Sequence, residues 1–222
     1  MPYRRTKNVV RRLAARERAI VDAAARLAAA GGMAAVQVAA VAGQAGIAAG
    51  TVYRYFPSKN DLVATLIAEV ANCELAAMRL AADAAPGPLS ALAAGIATFA
   101  ARALAERRLA WAVIGEPVDA EVDRLRLDFR RSLAGELERR IEIAVARGLL
   151  PDQDGGVAAP AIVGALMEGL LGPLAPAHEG DGPAAREAVQ TVTLFALRAL
   201  GMGDARARGL VAQVVLPPSP SP

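Results

Sequence analysis

Val122, Leu125, Phe129, Leu133, Leu137 and Ile141 recur at three- and four-residue steps. That spacing puts them on one stripe of a helix and excludes a strand, whose faces alternate every two residues. The same period returns in Leu62, Leu66, Val70, Cys73 and Ala77, and in Leu89, Leu92, Ile96, Phe99 and Ala103. No segment alternates with period two. The chain is 55% hydrophobic but only 4% aromatic, a balance that suits packed Ala- and Leu-rich helices better than sheets. An all-α fold is therefore expected.

Glycine and proline divide the 222 residues into about nine helices. The first runs from Arg11 to Ala30 and stops at Gly31-Gly32. The second covers Val38 to Ala45, Gly46 makes a turn, and the third runs from Ala49 to Tyr55. Pro57-Ser58 restarts the chain, with Ser58 as N-cap and Asp61 closing a capping-box variant. The long fourth helix ends at Pro86-Gly87-Pro88, the fifth and a short sixth with Trp111 follow, and Asp119 is placed to cap the seventh. The eighth reaches about Gly172, and the ninth runs from Ala184 to Leu200. Expected organisation is a basic flexible arm over 1–10, three reader helices over 11–57, a larger helical unit over 58–202, and a weakly structured to disordered tail over 203–222.

Charge is distributed unevenly. Residues 1–60 hold ten basic residues against two acidic ones, a balance of +8, and the rest holds 15 against 20, or −5. A basic N-terminal unit on an acidic body fits a polyanion binder. One cysteine, Cys73, and one histidine, His178, exclude a disulfide and most metal and triad chemistries, so neither cofactor, metal nor catalytic residue is expected. The apolar stretch from Val157 to Ala177 contains Glu168 and three prolines and reads as a buried helix, not a membrane span. The N-terminus leads into charge rather than an apolar leader. A cytoplasmic protein is the expectation.

Two short helices joined by a glycine turn and preceded by a basic helix fit a helix-turn-helix, in which the second short helix enters the major groove. Ile47, Val52 and Phe56 would lock the pair together. Thr51, Tyr53, Arg54 and Tyr55 offer hydroxyl and guanidinium groups to phosphates or base edges. The run Ala45-Gly46-Ile47-x-x-Gly50-Thr51-Val52-Tyr53-Arg54-Tyr55-Phe56-Pro57-Ser58-Lys59-Asn60-Asp61-Leu62 resembles the signature of the TetR family of transcriptional regulators.

The resemblance implies that Ala49, Gly50, Thr51, Tyr53, Arg54 and Tyr55 belong to a recognition helix, with Arg54 at a variable position suited to reading a base. Lys59 would add a phosphate contact at the next helix N-terminus. Arg5, in the arm with Arg4 and Lys7, is a further candidate for the DNA backbone. The resemblance also implies double-stranded DNA as partner, a homodimer formed through the eighth and ninth helices, and a pocket for a small, largely apolar effector. Phe99, Trp111, Phe129, Met167 and Glu168 are candidates to line that pocket, with Glu116 as another polar contact; plain core packing is the alternative for the apolar ones. Glu168, set among apolar residues, would need a partner such as Arg130 if buried.

One departure concerns the recognition helix. Where the family commonly has Ser, this chain has Ala48-Ala49, losing a capping hydroxyl worth about 1 kcal/mol. The rival readings are a helical small-molecule binder with a weakened reader and, less favoured for want of acid–base and nucleophilic groups, an α-helical enzyme.

Overall fold

The computed structural model describes residues 7–116, 120–177 and 182–216. Arg4, Arg5, Asp119, His178 and the Pro/Ser tail lie outside them. Among the described residues there are ten α-helices and no strand. They are α1 (Lys7–Gly31), α2 (Val38–Gln44), α3 (Ala49–Tyr55), α4 (Lys59–Asp83), α5 (Pro88–Ala105), α6 (Arg107–Ile114), α7 (Ala120–Ala146), α8 (Gly155–Leu166), α9 (Pro183–Ala199) and α10 (Asp204–Gln213).

The local signals work as their chemistry requires. Ser58 Oγ accepts the Asp61 N–H at 3.1 Å, and the Asp61 carboxylate accepts the Ser58 N–H at 2.9 Å, closing the capping box that starts α4. Pro88 and Pro183 sit at the first turns of α5 and α9, where a missing N–H costs nothing. Gly46 takes φ +65, the left-handed turn between α2 and α3 that glycine adopts without penalty.

α1, α2 and α3 pack on one another through Ile20, Val21, Ala24, Val41, Val52 and Phe56, and α1 also rests on α4 and α6. In the body, α4 lies along α5 and α7, α7 along α8, and α5 against α9. α5 is long and apolar enough to cross a membrane, but 67% of it is buried inside the fold, as a core helix is.

Two expectations need correction. Residues 204–213, assigned to a weakly structured tail, form α10. Ala207 anchors it in the core, and Arg208 and Arg198 both bond the Asp204 carboxylate at its first turn. Glu168 is exposed. α8 widens after Leu166 into a π-turn over Met167–Leu171, and Glu168 continues the outward stripe of Val157, Ala161 and Gly164. No buried carboxylate has to be compensated there.

Candidate nucleic-acid interface and ligand cavity

Val52 is fully buried and Phe56 nearly so, which fastens α3 by one face. The opposite face is open: Tyr53 is 52% exposed, and Ala49, Gly50 and Arg54 are exposed. Thr51 and Lys59 are half-buried, and Tyr55 is half-buried and packed against the core, so its ring helps to support the helix. These residues share one short helix and the start of the next. A Cβ built on Gly50 would meet nothing within 4 Å, so the space beside it is free for something outside the chain.

Ala48 is the N-cap of α3 in extended conformation, and no side chain bonds the first turn.

A polar joint links the N-terminal helices to the body. Glu116 Oε2 accepts the Met33 N–H at 2.9 Å, and its Oε1 lies 3.3 Å from Arg108 Nη2. Gly32, at φ +72, allows this closeness, since a Cβ there would fall 2.0 Å from Arg108 Nη2. Glu116 thus ties α1 to the end of α6 and does not stand in a cavity. The nearly inaccessible Arg126 of α7 holds the same end of α6 by donating to the carbonyls of Ala112 and Glu116. Burial holds its guanidinium below the ordinary value despite the Asp123 carboxylate nearby.

A cavity of about 190 Å³ opens between α4, α5, α6 and α7. Phe99, Leu109, Val113, Ile114 and Phe129 supply apolar wall, and Cys73, Glu74, Arg102 and Glu106 supply polar groups. Glu74 takes Arg102 in a two-pronged bond, 2.8 Å on each side, which raises the guanidinium's proton affinity and cancels the pair's charge. Phe99 and Phe129, named from the sequence, share this wall. Trp111 lies on α6 with its ring over Gly115, and Met167 is buried beside the π-turn; neither lines the cavity, and Glu168 faces solvent. Glu74 and Arg102 escaped the sequence reading because they sit on different helices, 28 residues apart. Among the described residues no group of His, Cys, Asp and Glu is arranged to hold a metal.

Residues 20–66 match the family model described as bacterial regulatory proteins, tetR family. That segment, which holds α2, α3 and the start of α4, is similar to the DNA-binding region of the TetR family. The repressor KstR of Rhodococcus jostii is 51% identical over 53 residues, which are 24% of this chain and 25% of that protein. KstR of Mycobacterium tuberculosis is 48% identical over 52 residues, 23% of this chain and 24% of that protein. The match thus spans about a quarter of these curated relatives. The fold extends much further. A crystal structure of RolR with resorcinol superposes with a TM-score of 0.66 at 19% identity, covering 94% of this chain and 98% of that one. FadR from Bacillus subtilis with stearoyl-CoA gives 0.61 at 21%, covering 88% and 95%.

Proposed function

We propose that this chain is a TetR-family regulator and acts as a ligand-responsive transcriptional repressor. It binds a palindromic DNA site as a homodimer in the cytoplasm and releases it when a small, largely apolar effector fills the cavity. The observation that carries the reading is α3, anchored by Val52 and Phe56, with Tyr53 and Arg54 turned to solvent in the region of +8 charge. Tyr53 and Thr51 would meet the backbone, Arg54 a base edge, Lys59 a phosphate, and Arg5 the backbone beside the site.

The dimer would join α8 and α9 to their copies. An open groove between these helices is lined by Ala165, Gly169, Leu170, Ala188, Val192 and Phe195, and Phe195 is 56% exposed. Small residues permit close helix approach, and two-fold symmetry sets two readers roughly 34–36 Å apart, one DNA turn.

Release requires the effector to bind one arrangement better than the other. α6 supports that link, since Leu109, Ala110, Val113 and Ile114 face the cavity while Arg108 and Glu116 flank the Met33 joint. RolR with resorcinol and FadR with stearoyl-CoA have ligands bound on this fold, and the present cavity, at about 190 Å³, is of a size for a compact molecule. An engineered apolar cavity of about 150 Å³ accepts benzene.

Selection of bound duplexes from a random pool, followed by titration against unselected DNA, tests the reading. Enrichment of a palindrome is the expected result. The bare Ala48 cap favours the second reading, a helical small-molecule binder with a weakened reader, and equal affinity for selected and random DNA would establish it.

A further inference from the structure

α1 has 25 residues, but among its described side chains the first that is buried is Ile20. Over residues 11–19 every side chain is exposed except the half-covered Leu13. At 1.5 Å per residue these nine positions span roughly 14 Å that the protein's own core does not hold. The direction is set by the other end, where Gly32 and Met33 lie against Arg108 and Glu116. The N-terminal half of α1 therefore runs away from the body.

Arg11, Arg12, Arg16 and Arg18 are all exposed on this stretch, with Glu17 its only acid. None of the four arginines has an ion-pair partner among the described residues. Arg12 and Arg16 stand four apart and repel each other, which weakens a helix that tertiary packing does not support. Such a segment gains stability when negative charge arrives from outside. The polyanion suited to it is the one that the exposed face of α3 would meet, since α1 and α3 both pack on α2 in one unit of helices.

We propose that residues 11–18 of α1 form a phosphate clamp on duplex DNA flanking the half-site contacted by α3. The clamp rests on the reading of the chain as a DNA binder. It supplies affinity without sequence information, since guanidinium groups on phosphates release counterions whatever the bases are. It also offsets the phosphate contact that Ala48 does not make.

The test uses the full-length chain and a duplex that it has itself enriched from a random pool, titrated across a salt series. Replacing Arg11, Arg12, Arg16 and Arg18 together by Gln should flatten the plot of log affinity against log salt. The slope changes by about 0.9 for each phosphate that is no longer neutralised, so by about 2 for one phosphate per protomer of a dimer. Lys at the same four positions should keep the wild-type slope. Circular dichroism and Tm should not fall, because none of these four side chains is buried and the Arg12–Arg16 repulsion is relieved. Trimming the duplex to its two half-sites should weaken the wild type and leave the Gln variant as it was. An unchanged slope with Gln, or Lys behaving as Gln does, overturns the clamp alone. Binding of the wild type to phosphatidylserine vesicles with no effect of Gln on the DNA slope puts a membrane in DNA's place and also overturns it. A chain that enriches no duplex overturns the DNA-binding reading, and the clamp with it.

Discussion

Glu116 and Met33 are 83 residues apart in the chain, and a 2.9 Å hydrogen bond from the Met33 N–H to Glu116 Oε2 joins them. Replacing Glu116 by Ala leaves a part-buried N–H without its acceptor, a loss of about 1–2 kcal/mol. Thermal denaturation should show Tm lower by roughly 2–8 °C. Glu116→Gln, which keeps an oxygen acceptor, should lose less than half of that. Equal losses for the two variants would mean that the bond contributes nothing.

Gly32 and Gly46 both have positive φ, but only Gly32 is crowded. Gly46→Ala meets open space and should cost about 1 kcal/mol, the penalty for a side chain in the left-handed region. Gly32→Ala also pushes the Arg108 guanidinium, the far end of a flexible side chain, off Glu116 and should cost about 0.5 kcal/mol more. Urea midpoints of the two variants check the order, and a Gly32 variant as stable as the Gly46 one would contradict it.

Gly50→Ala should leave stability unchanged or raise it by up to about 1 kcal/mol, since alanine suits a helix and nothing lies near the new methyl group. On the proposed function DNA affinity should nevertheless fall, because the methyl group occupies the side of α3 that would face DNA. Ala48→Ser should do the reverse, adding about 1 kcal/mol of helix capping and tightening binding. Anisotropy titrations at one salt concentration measure both.

Gly169→Arg should yield folded monomers. A Cβ at Gly169 makes only ordinary contact, 3.9 Å from Val192 Cγ2, so the protomer tolerates the change, while a long charged side chain would obstruct the proposed packing of α8 and α9 on a second copy. Light scattering decides, and a persisting dimer would remove Gly169 from the interface.

Glu136 is buried on α7 and accepts from Arg79, Arg139 and Arg140 at 2.8–2.9 Å. Burial raises its pKa, but the hydrogen bonds from Arg79 and Arg140 and the surrounding positive charge outweigh that, and the carboxyl stays below its ordinary 4.5. A depressed folded pKa stabilises the protein above the unfolded value, and this contribution disappears as pH falls through the folded one. Glu136→Gln should therefore cost about 2 kcal/mol at neutral pH. The Tm gap from wild type should close as the solution is acidified below about pH 4.5. A gap that stays constant down to about pH 3 would contradict this assignment.

What could be read from the sequence was local. The Ser58–Asp61 capping box, the Gly46 turn and the prolines that open α5 and α9 act within four residues, so spacing alone placed those element boundaries. The stripe containing Val122, Phe129 and Leu133 located the buried face of α7, but it did not reveal that Arg126 lies on that face too. The buried guanidinium is satisfied by two carbonyls at the end of α6 beside the Asp123 carboxylate, and nothing near Arg126 in the chain announces those carbonyls. The same limit hid the Glu74–Arg102 pair and gave Glu116 a cavity role in place of its bond to Met33. α10 was missed because its apolar stripe, Ala207, Leu210 and Val211, covers little more than one turn, and its one fully buried member is the small Ala207. Arg5 and His178 lie outside the described residues. At the interface, the exposed face of α3 was legible because its anchors, Val52 and Phe56, fall at helical spacing.

α6 is eight residues long, about 12 Å. Arg107 at its start bonds the carbonyls of Gly172, Ala175 and Pro176, and Arg126 grips its far end. With barely two turns between these fixed points, the helix has no length over which to bend. It behaves as a strut: a side chain pushed outward by a molecule between Phe99 and Phe129 moves the whole rod, and the Gly32 corner must give way or hold.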